Sequence, residues 1–248
     1  MKTKIIILAA GKGTRMGSEL PKVLVPLHGR PMMDYLLAAV RASGAEDRPI
    51  VVVSPDNRDL IAQTLAAYDF EIAIQDQQLG TGHAVACARS YLDRDVDNVL
   101  VLYGDQPFLR AESIKTFCEL TPTALTIMST ILPSFDGWYH NFYHLGRIAR
   151  DSNGHVRAIV EYKDANDEEK AITEINLGFM CFNKQWLLDN IDKLNANNKA
   201  HEFYLTSLVD IARNQGFSID CLPIDSREAM GINSREELSI AEGLATKE

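Results

Sequence analysis

The sequence predicts an α/β fold built on a mostly parallel sheet flanked by helices. Three observations carry that expectation. Short apolar or β-branched runs at Ile5–Leu8, Ile50–Val53, Ile72–Ile74 and Val99–Tyr103 alternate with helical-period stretches at Met32–Ala42, Arg58–Ala67 and Gly82–Tyr91, the rhythm of βαβ units. The runs are continuously hydrophobic, which fits strands covered on both faces. With 248 residues, 46% hydrophobic and 24% charged, the chain has ordinary globular composition and can bury a full core.

Each element can be read in turn. The first run ends in Leu8-Ala9-Ala10-Gly11, followed by Lys12, Gly13, Arg15 and, further on, Lys22. A turn without side chains at Gly11 and Gly13 lets backbone N–H groups approach a ligand closely. Three cations around it, at the carboxyl end of a first parallel strand, suit a polyphosphate. A strand-to-helix turn with solvated cations is the other reading. The stretch is not a Walker loop, which needs Lys-Ser or Lys-Thr after its second glycine, and Met16 stands where a dinucleotide fingerprint needs glycine.

After the third run, "QDQQLGTGHAV" (Gln75 to Val85) offers amides and then Gly80-Thr81-Gly82 opening a helix. Gln75 and Gln78 could read a nucleobase edge, or the segment is a polar loop with Thr81 as helix N-cap. His83 has no partner at catalytic or metal spacing and reads as structural. After the fourth run, Asp105 in "VLVLYGDQPFL" falls at the carboxyl edge of the sheet. It can hold Mg²⁺ alongside substrate phosphates, or merely shape a Gly-Asp-x-Pro turn.

Beyond residue 120 the rhythm changes. Ala124–Ile131, Gly146–Arg150, Val156–Val160 and Ile175–Phe182 read as longer strands, with a turn at Asp151-Ser152-Asn153-Gly154. They suggest antiparallel additions covering one side of the core. The acidic run Asp164–Glu169 reads as a solvated loop. Trp186–Ile191 and Tyr204–Asn214 read as helices, Ser218–Leu222 as a strand and Arg235–Leu244 as a closing helix. No linker, repeat or low-complexity segment interrupts residues 1–248, so a single domain is expected.

Composition narrows the function. A net charge of −9 argues against a general nucleic-acid or acidic-membrane surface and makes the local basic cluster informative. Cys87, Cys118, Cys181 and Cys221 are scattered without a CxxC pair, which points to free thiols in a reducing, cytoplasmic setting. The first apolar run is too short for a membrane span and lacks a signal-peptide pattern. No Ser-His-Asp order, reactive-cysteine signature or zinc motif is evident. One reaction class needs none of these. When the nucleophile is already a phosphate oxygen, catalysis reduces to alignment and to neutralising anions with Lys, Arg and Mg²⁺.

"LAAGKGTRMGSELPKVLVPLHGRPM" resembles the signature of the sugar-1-phosphate nucleotidyltransferases. "QLGTGHAV", "VLYGDQPFL", "GRIARDSNGHVRAIVEYKDA", "EINLGFMCF", "EFYLTSLV" and "EAMGIN" follow in that family's order and cover most of the chain. Within the family, the likeness is closest to bacterial uridyltransferase domains that act on N-acetylglucosamine 1-phosphate. The resemblance implies a Rossmann-like fold with an antiparallel sugar-binding addition. It implies uridylyl transfer from UTP to N-acetylglucosamine 1-phosphate, giving UDP-N-acetylglucosamine and pyrophosphate. Leu8, Ala9, Ala10 and Gly11, with Arg15 and Lys22, would bind and activate the triphosphate. Gln75, Gly80 and Thr81 would hold the uridine, and Asp105 and Asn233 the Mg²⁺. Gly146, Glu161, Asn176, Tyr204 and Thr206 would line the sugar pocket, with Tyr103 between the halves. The partners implied are these two small molecules, with no nucleic acid and no membrane.

The departures from the family pattern cluster on the sugar side. His144-Leu145-Gly146-Arg147 replaces the common Gly-Tyr-Gly-Arg, and the preceding "PSFDGWYHNFYH" is longer and more aromatic. Ser207 stands for the usual Asp and Gln106 for an apolar residue. A hexapeptide-repeat acetyltransferase region, which bifunctional members carry, is not expected in residues 1–248. Another sugar 1-phosphate or base, or a nucleotide-sugar sensor without catalysis, would use many of the same residues. Pyrophosphate release separates enzyme from sensor.

Overall fold

The computed structural model describes residues 2–11, 13–92 and 95–245. Strand β1 (Thr3–Leu8) leads through two 3₁₀ turns, Thr14–Met16 and Lys22–Leu24, to a small hairpin. The hairpin is formed by β2 (Pro26–Leu27) and β3 (Arg30–Pro31), and α1 (Met32–Ser43) follows it. Next come β4 (Ile50–Val53), α2 (Arg58–Thr64), β5 (Glu71–Ile74), α3 (Thr81–Cys87), β6 (Asn98–Tyr103), α4 (Ala111–Cys118) and β7 (Leu125–Ile131). The second half holds β8 (Arg147–Arg150), β9 (Val156–Val160), α5 (Asp167–Lys170) and β10 (Glu174–Asn183). It closes with α6 (Lys184–Asn190), α7 (Leu208–Asn214), β11 (Asp220–Pro223) and α8 (Arg235–Ala245).

The main sheet runs β11-β7-β10-β6-β1-β4-β5, and β8 and β9 branch from β10. β1 pairs in parallel with both β4 and β6. Its side chains split between two cores: Ile5 and Ile7 pack on one face, Ile6 on the other. Leu100 and Leu102 of β6 join the first core, Val99 and Val101 the second. A strand with both faces covered favours apolar side chains on both, hence the apolar runs that follow the buried polar residues Thr3, Lys4 and Asn98 at the strand starts. The chain winds from β1 outward to β5 and then returns to β1's other side as β6. That reversal opens a crevice at the carboxyl ends of β1 and β6, where sheets of this kind hold ligands.

The antiparallel part differs from the expectation of additions along one side. β10 lies inside the main sheet, antiparallel to both β6 and β7, and β11 pairs with β7 in parallel. β10 keeps the expected antiparallel direction, and the β8–β9 hairpin, turning at Gly154 (φ +83°), branches from it. Helix α4 is absent from the sequence reading, although Ile114, Phe117 and Cys118 recur at helical spacing and are buried. The acidic run is not wholly loop. Its second half forms α5, capped where Asn166 Oδ1 accepts from Glu169 N at 2.8 Å and Glu169 Oε2 accepts from Asn166 N at 2.9 Å.

The pairing of β10 shifts between Asn176 and Met180, at Gly178. Gly178 has φ +82°, and a Cβ there would sit 2.7 Å from Tyr103 Cε2. Tyr103 thus occupies space that only glycine leaves open. Gly178→Ala combines a left-handed backbone with a ring clash and should cost at least about 2 kcal/mol of stability. Urea unfolding of the variant beside wild type measures this; equal midpoints and slopes would refute it.

Candidate active site

The loops after β1, β5 and β6 meet the segments around residues 146, 161, 176, 204 and 233 at the crevice. Together they enclose a cavity of about 540 Å³. Every site residue implied by the family resemblance lies on its wall: Leu8, Ala9, Ala10, Gly11, Arg15, Lys22, Gln75, Gly80, Thr81, Tyr103, Asp105, Gly146, Glu161, Asn176, Tyr204, Thr206 and Asn233. Lys12 lies outside the described residues.

On the β1 side, the backbone of Ala9 is committed to the fold. Its N–H donates to Val52 O at 2.8 Å, and its carbonyl accepts from Asn57 Nδ2 at 3.0 Å. Leu8 O accepts from Gly104 N at 3.0 Å. The N–H groups of Ala10 and Gly11 make no hydrogen bond among the described residues, and both residues line the cavity. Gly13 serves a different purpose from the one its spacing suggested. It is absent from the cavity wall, and a Cβ there would meet Lys22 Cβ at 2.5 Å, so its bareness lets Lys22 pass. Arg235, at the start of α8, holds the end of this loop by donating to Met16 O at 3.0 Å and Gly17 O at 2.8 Å. That anchor was not legible in the sequence.

At the centre, Lys22 Nζ donates to Asp105 Oδ2 and, at 2.9 Å, to Asn233 Oδ1. The 3₁₀ turn Lys22–Leu24 carries the lysine, and the turn after β6 carries the carboxylate. Ile232 N donates to Asp105 O at 2.9 Å, which fixes the Asn233 segment against that turn. Two oxygens from distant parts of the chain therefore converge on one positive charge. Among the described residues no cluster of three or more His, Cys, Asp or Glu residues could hold a metal.

The wall beyond β5 is held by main-chain bonds to the segment at 203–205. Gly82 N donates to Phe203 O and Phe203 N to Leu79 O, both at 2.8 Å. A Cβ at Gly80 (φ +114°) would lie 2.6 Å from Phe203 O. Thr81 does not cap its helix. Gly80 is at the N-cap position, and Thr81 Oγ1 accepts instead from Leu205 N at 3.0 Å. Gln75 is 4% exposed, and its Nε2 bonds to Gly80 O at 3.1 Å and His83 Nδ1 at 3.2 Å.

On the wall built from residues 146, 161, 176 and 206, Asn176 N donates to Gly146 O at 2.8 Å, and Thr206 Oγ1 donates to Glu161 Oε1 at 2.8 Å. Burial pushes the Glu161 carboxyl above the ordinary carboxylate range; the Thr206 bond opposes this, while Asp164 and Glu202 add to it. Burial, reinforced by Glu161 and Asp105, likewise raises the Tyr103 phenol. Among the described residues, the buried side-chain polar atoms without a partner are Gln106 Oε1, Asn141 Nδ2 and Asn176 Oδ1, all from residues lining this cavity. Such orphaned atoms are costly unless a ligand or water completes them. Asn141 was not singled out from the sequence, where nothing distinguishes it from other polar loop residues.

The aromatic segment before β8 is organised by Arg147, which is 0% exposed. Its guanidinium donates to Leu145 O, to Tyr143 O at 2.7 Å and to Lys170 O at 3.3 Å. It also lies 4.6 Å from the Phe135 ring centroid and within cation–π range of Tyr143 and Tyr162. Carbonyls and ring faces substitute for a carboxylate. They fold the segment so that Asn141, Phe142, His144 and Leu145 border the cavity.

A cavity at the point where a doubly wound sheet reverses its strand order is the arrangement of nucleotide-handling α/β domains. The chain belongs to the MobA-like NTP transferase domain family, whose profile matches residues 5–173. It is 41% identical over 246 residues to the Bifunctional protein GlmU of Clostridioides difficile, covering 98% of this chain and 51% of that protein. To the protein of the same name from Pelobacter propionicus it is 42% identical over 241 residues, 95% of this chain and 50% of the other. The chain thus spans about half the length of these curated relatives. A structure described as that of a glucose-1-phosphate thymidylyltransferase from Bacillus anthracis, in complex with a sucrose, matches with a TM-score of 0.76. It covers 99% of this chain and 96% of that one at 16% identity, a likeness of fold alone.

The raised Glu161 pKa has a signed consequence. The neutral acid's contribution to stability is full below the ordinary carboxylate pKa and is lost as pH climbs through the raised one. Glu161→Gln keeps the acceptor for Thr206 and removes the titration. The variant's stability relative to wild type should therefore rise with pH from the ordinary carboxylate value upward. Urea unfolding across that range tests it, and a pH-independent difference would show that Glu161 is not perturbed.

Proposed function

We propose that this domain transfers a uridylyl group from UTP to N-acetylglucosamine 1-phosphate, in the cytoplasm, and that residues 1–248 act as one nucleotidyltransferase domain. The observation that carries the proposal is the convergence of Asp105 and Asn233 on a cation at the carboxyl edge of β1 and β6. Ala10 and Gly11, whose N–H groups make no hydrogen bond among the described residues, line the same cavity. A triphosphate needs that combination of donors and positive charge.

The Lys22 ammonium is a stand-in for a divalent ion between the same two oxygens, and the donor set fits Mg²⁺. Mg²⁺ takes one or two protein oxygens and fills its shell with water and phosphate oxygens. Asp105 and Asn233 would hold it, and bound there it would supply charge neutralisation at the phosphates. The remaining chemistry belongs to the chain. Arg15 and Lys22 offset the negative charge that gathers as two anions meet. The backbone donors from Ala10 onward fix the triphosphate for in-line displacement. An oxygen of the sugar phosphate attacks the α-phosphorus, an O–P bond forms, and the bond to the β-phosphate oxygen breaks with pyrophosphate leaving. No general base is required, because the attacking oxygen is already ionised.

On the base side, the Gln75 amide spends both N–H groups on Gly80 O and His83 Nδ1. Its oxygen is left as an acceptor, which complements the imide N–H of uracil. On the acceptor side, Glu161, Asn176 and Thr206 offer hydrogen bonds to sugar hydroxyls and an acetamido group. The curated relatives are named as bifunctional proteins, and of two activities we assign nucleotidyl transfer to this stretch.

Asp105→Asn should lower kcat by about 100-fold or more and leave the circular dichroism spectrum unchanged, and wild-type activity should vanish in EDTA and return with Mg²⁺. Full activity of the variant in EDTA would remove the metal from the mechanism. The substrate pair is decided by kcat/KM for pyrophosphate release, with each nucleoside triphosphate paired with each sugar 1-phosphate. UTP with N-acetylglucosamine 1-phosphate should lead. Parity of UTP with GTP would end the uridine reading, and a strong preference for glucose 1-phosphate would end the amino-sugar reading.

A further inference from the structure

We infer that His83 is a positioning residue for base selection: its Nδ1 lone pair holds the Gln75 amide so that only the amide oxygen is offered to the nucleobase. This rests on the proposed role of Gln75 in reading uridine and extends it to a side chain that does not line the cavity.

The argument starts from an amide whose two ends differ in what they offer. Gln75 Nε2 lies 3.1 Å from Gly80 O and 3.2 Å from His83 Nδ1. A carbonyl only accepts, so Gly80 O rejects the flipped amide, which would bring two oxygens together. That bond uses one of the two N–H groups. His83 Nδ1 takes the second, and it can do so only while it carries a lone pair. The neutral ring then bears its hydrogen on Nε2, which faces Cys87 Sγ at 3.9 Å, a weak sulfur acceptor. Cys87 sits on the same helix one turn on, at the i+4 position. The chain Cys87–His83–Gln75–Gly80 is therefore consistent at every donor and acceptor.

The consequence for recognition is specific. With both N–H groups occupied, Gln75 has no donor for the ring nitrogen acceptor of cytosine and an acceptor for the N–H of uracil. Without the His83 lone pair, the second N–H is free, and the side chain can rotate about its remaining bond to Gly80 O. Reading of uracil then weakens, and cytosine gains a donor. The effect is confined to nucleotide binding and base choice, because neither His83 nor Gln75 touches the groups assigned to phosphoryl transfer.

Two variants separate this role from space filling. His83→Leu removes the lone pair, whereas His83→Asn places an amide oxygen close to the position of Nδ1. Kinetics with UTP and with CTP are read in the same preparations by pyrophosphate release, using the sugar phosphate that wild type prefers. The ratio of the two kcat/KM values does not depend on the fraction of enzyme folded. One neutral hydrogen bond corresponds to about a three- to tenfold effect. His83→Leu should raise KM for UTP by that factor, change kcat by less than about twofold and cut the UTP:CTP ratio by at least about threefold. His83→Asn should restore both KM and the ratio. An unchanged ratio in His83→Leu, or His83→Asn behaving like His83→Leu, overturns the inference while the uridine reading stands. A wild type without preference for UTP overturns both.

Discussion

The Lys22 ammonium, held between Asp105 and Asn233, joins three pieces of chain that are far apart in sequence. Its partners stand 83 and 211 residues away. The lysine and aspartate side chains are only 17% and 14% exposed, so neither charge is well hydrated. A partly desolvated pair of this kind gives modest net stability, yet removing one member strands the other at a large penalty. The loop after β1, the turn after β6 and the segment leading into α8 therefore stand or fall together. Gly13 makes room for the lysine stem, and Arg235 fastens the loop that carries it. The same trio concentrates opposite charges where the sheet opens, which suits the site to phosphates and a divalent ion.

Around that centre the cavity is stitched by hydrogen bonds between segments far apart in the chain. The turn that opens α3 is bonded to residues 203–205, and Asn176 to Gly146. The first connection attaches the proposed base-reading wall to the segment that carries Tyr204 and Thr206. Gly80 and Gly178 mark two places where the fit is close, against the Phe203 backbone and the Tyr103 ring. The proposed reaction needs these walls to keep their spacing, because in-line attack is sensitive to small misplacements.

The aromatic segment before β8 solves a separate problem. A buried guanidinium without a carboxylate partner among the described residues is held by three carbonyls and by ring faces. This arrangement stiffens a stretch that has only a single 3₁₀ turn, Gly137–Phe142, of its own. Of the departures from the family pattern, those of this segment and Gln106 border the cavity, whereas Ser207 does not line it. Shape there is therefore a property of this chain's own packing.

What the sequence determined by itself is whatever depends on covalent neighbours. Continuous apolar runs gave the strands, helical spacing gave α1 and the start of α3, and the strand ends pointed to Leu8–Gly11, Gln75 and Asp105 as one edge. The antiparallel character of β10 was expected from the sequence, but its place between β6 and β7 was not encoded locally, because a strand covered on both faces reads the same wherever it sits in the sheet. The function of Gly13, the partner of Thr81, the aromatic cage of Arg147 and the bond from Gln75 to His83 were decided only in the tertiary structure. Each depends on what another segment brings to within a few ångströms. Thr81 is a good helix cap by composition, but the N–H of Leu205, 124 residues away, competes for the same oxygen and wins. Local propensity supplies the candidates for each position, and the hydrogen-bond partner that arrives from elsewhere in the chain selects among them.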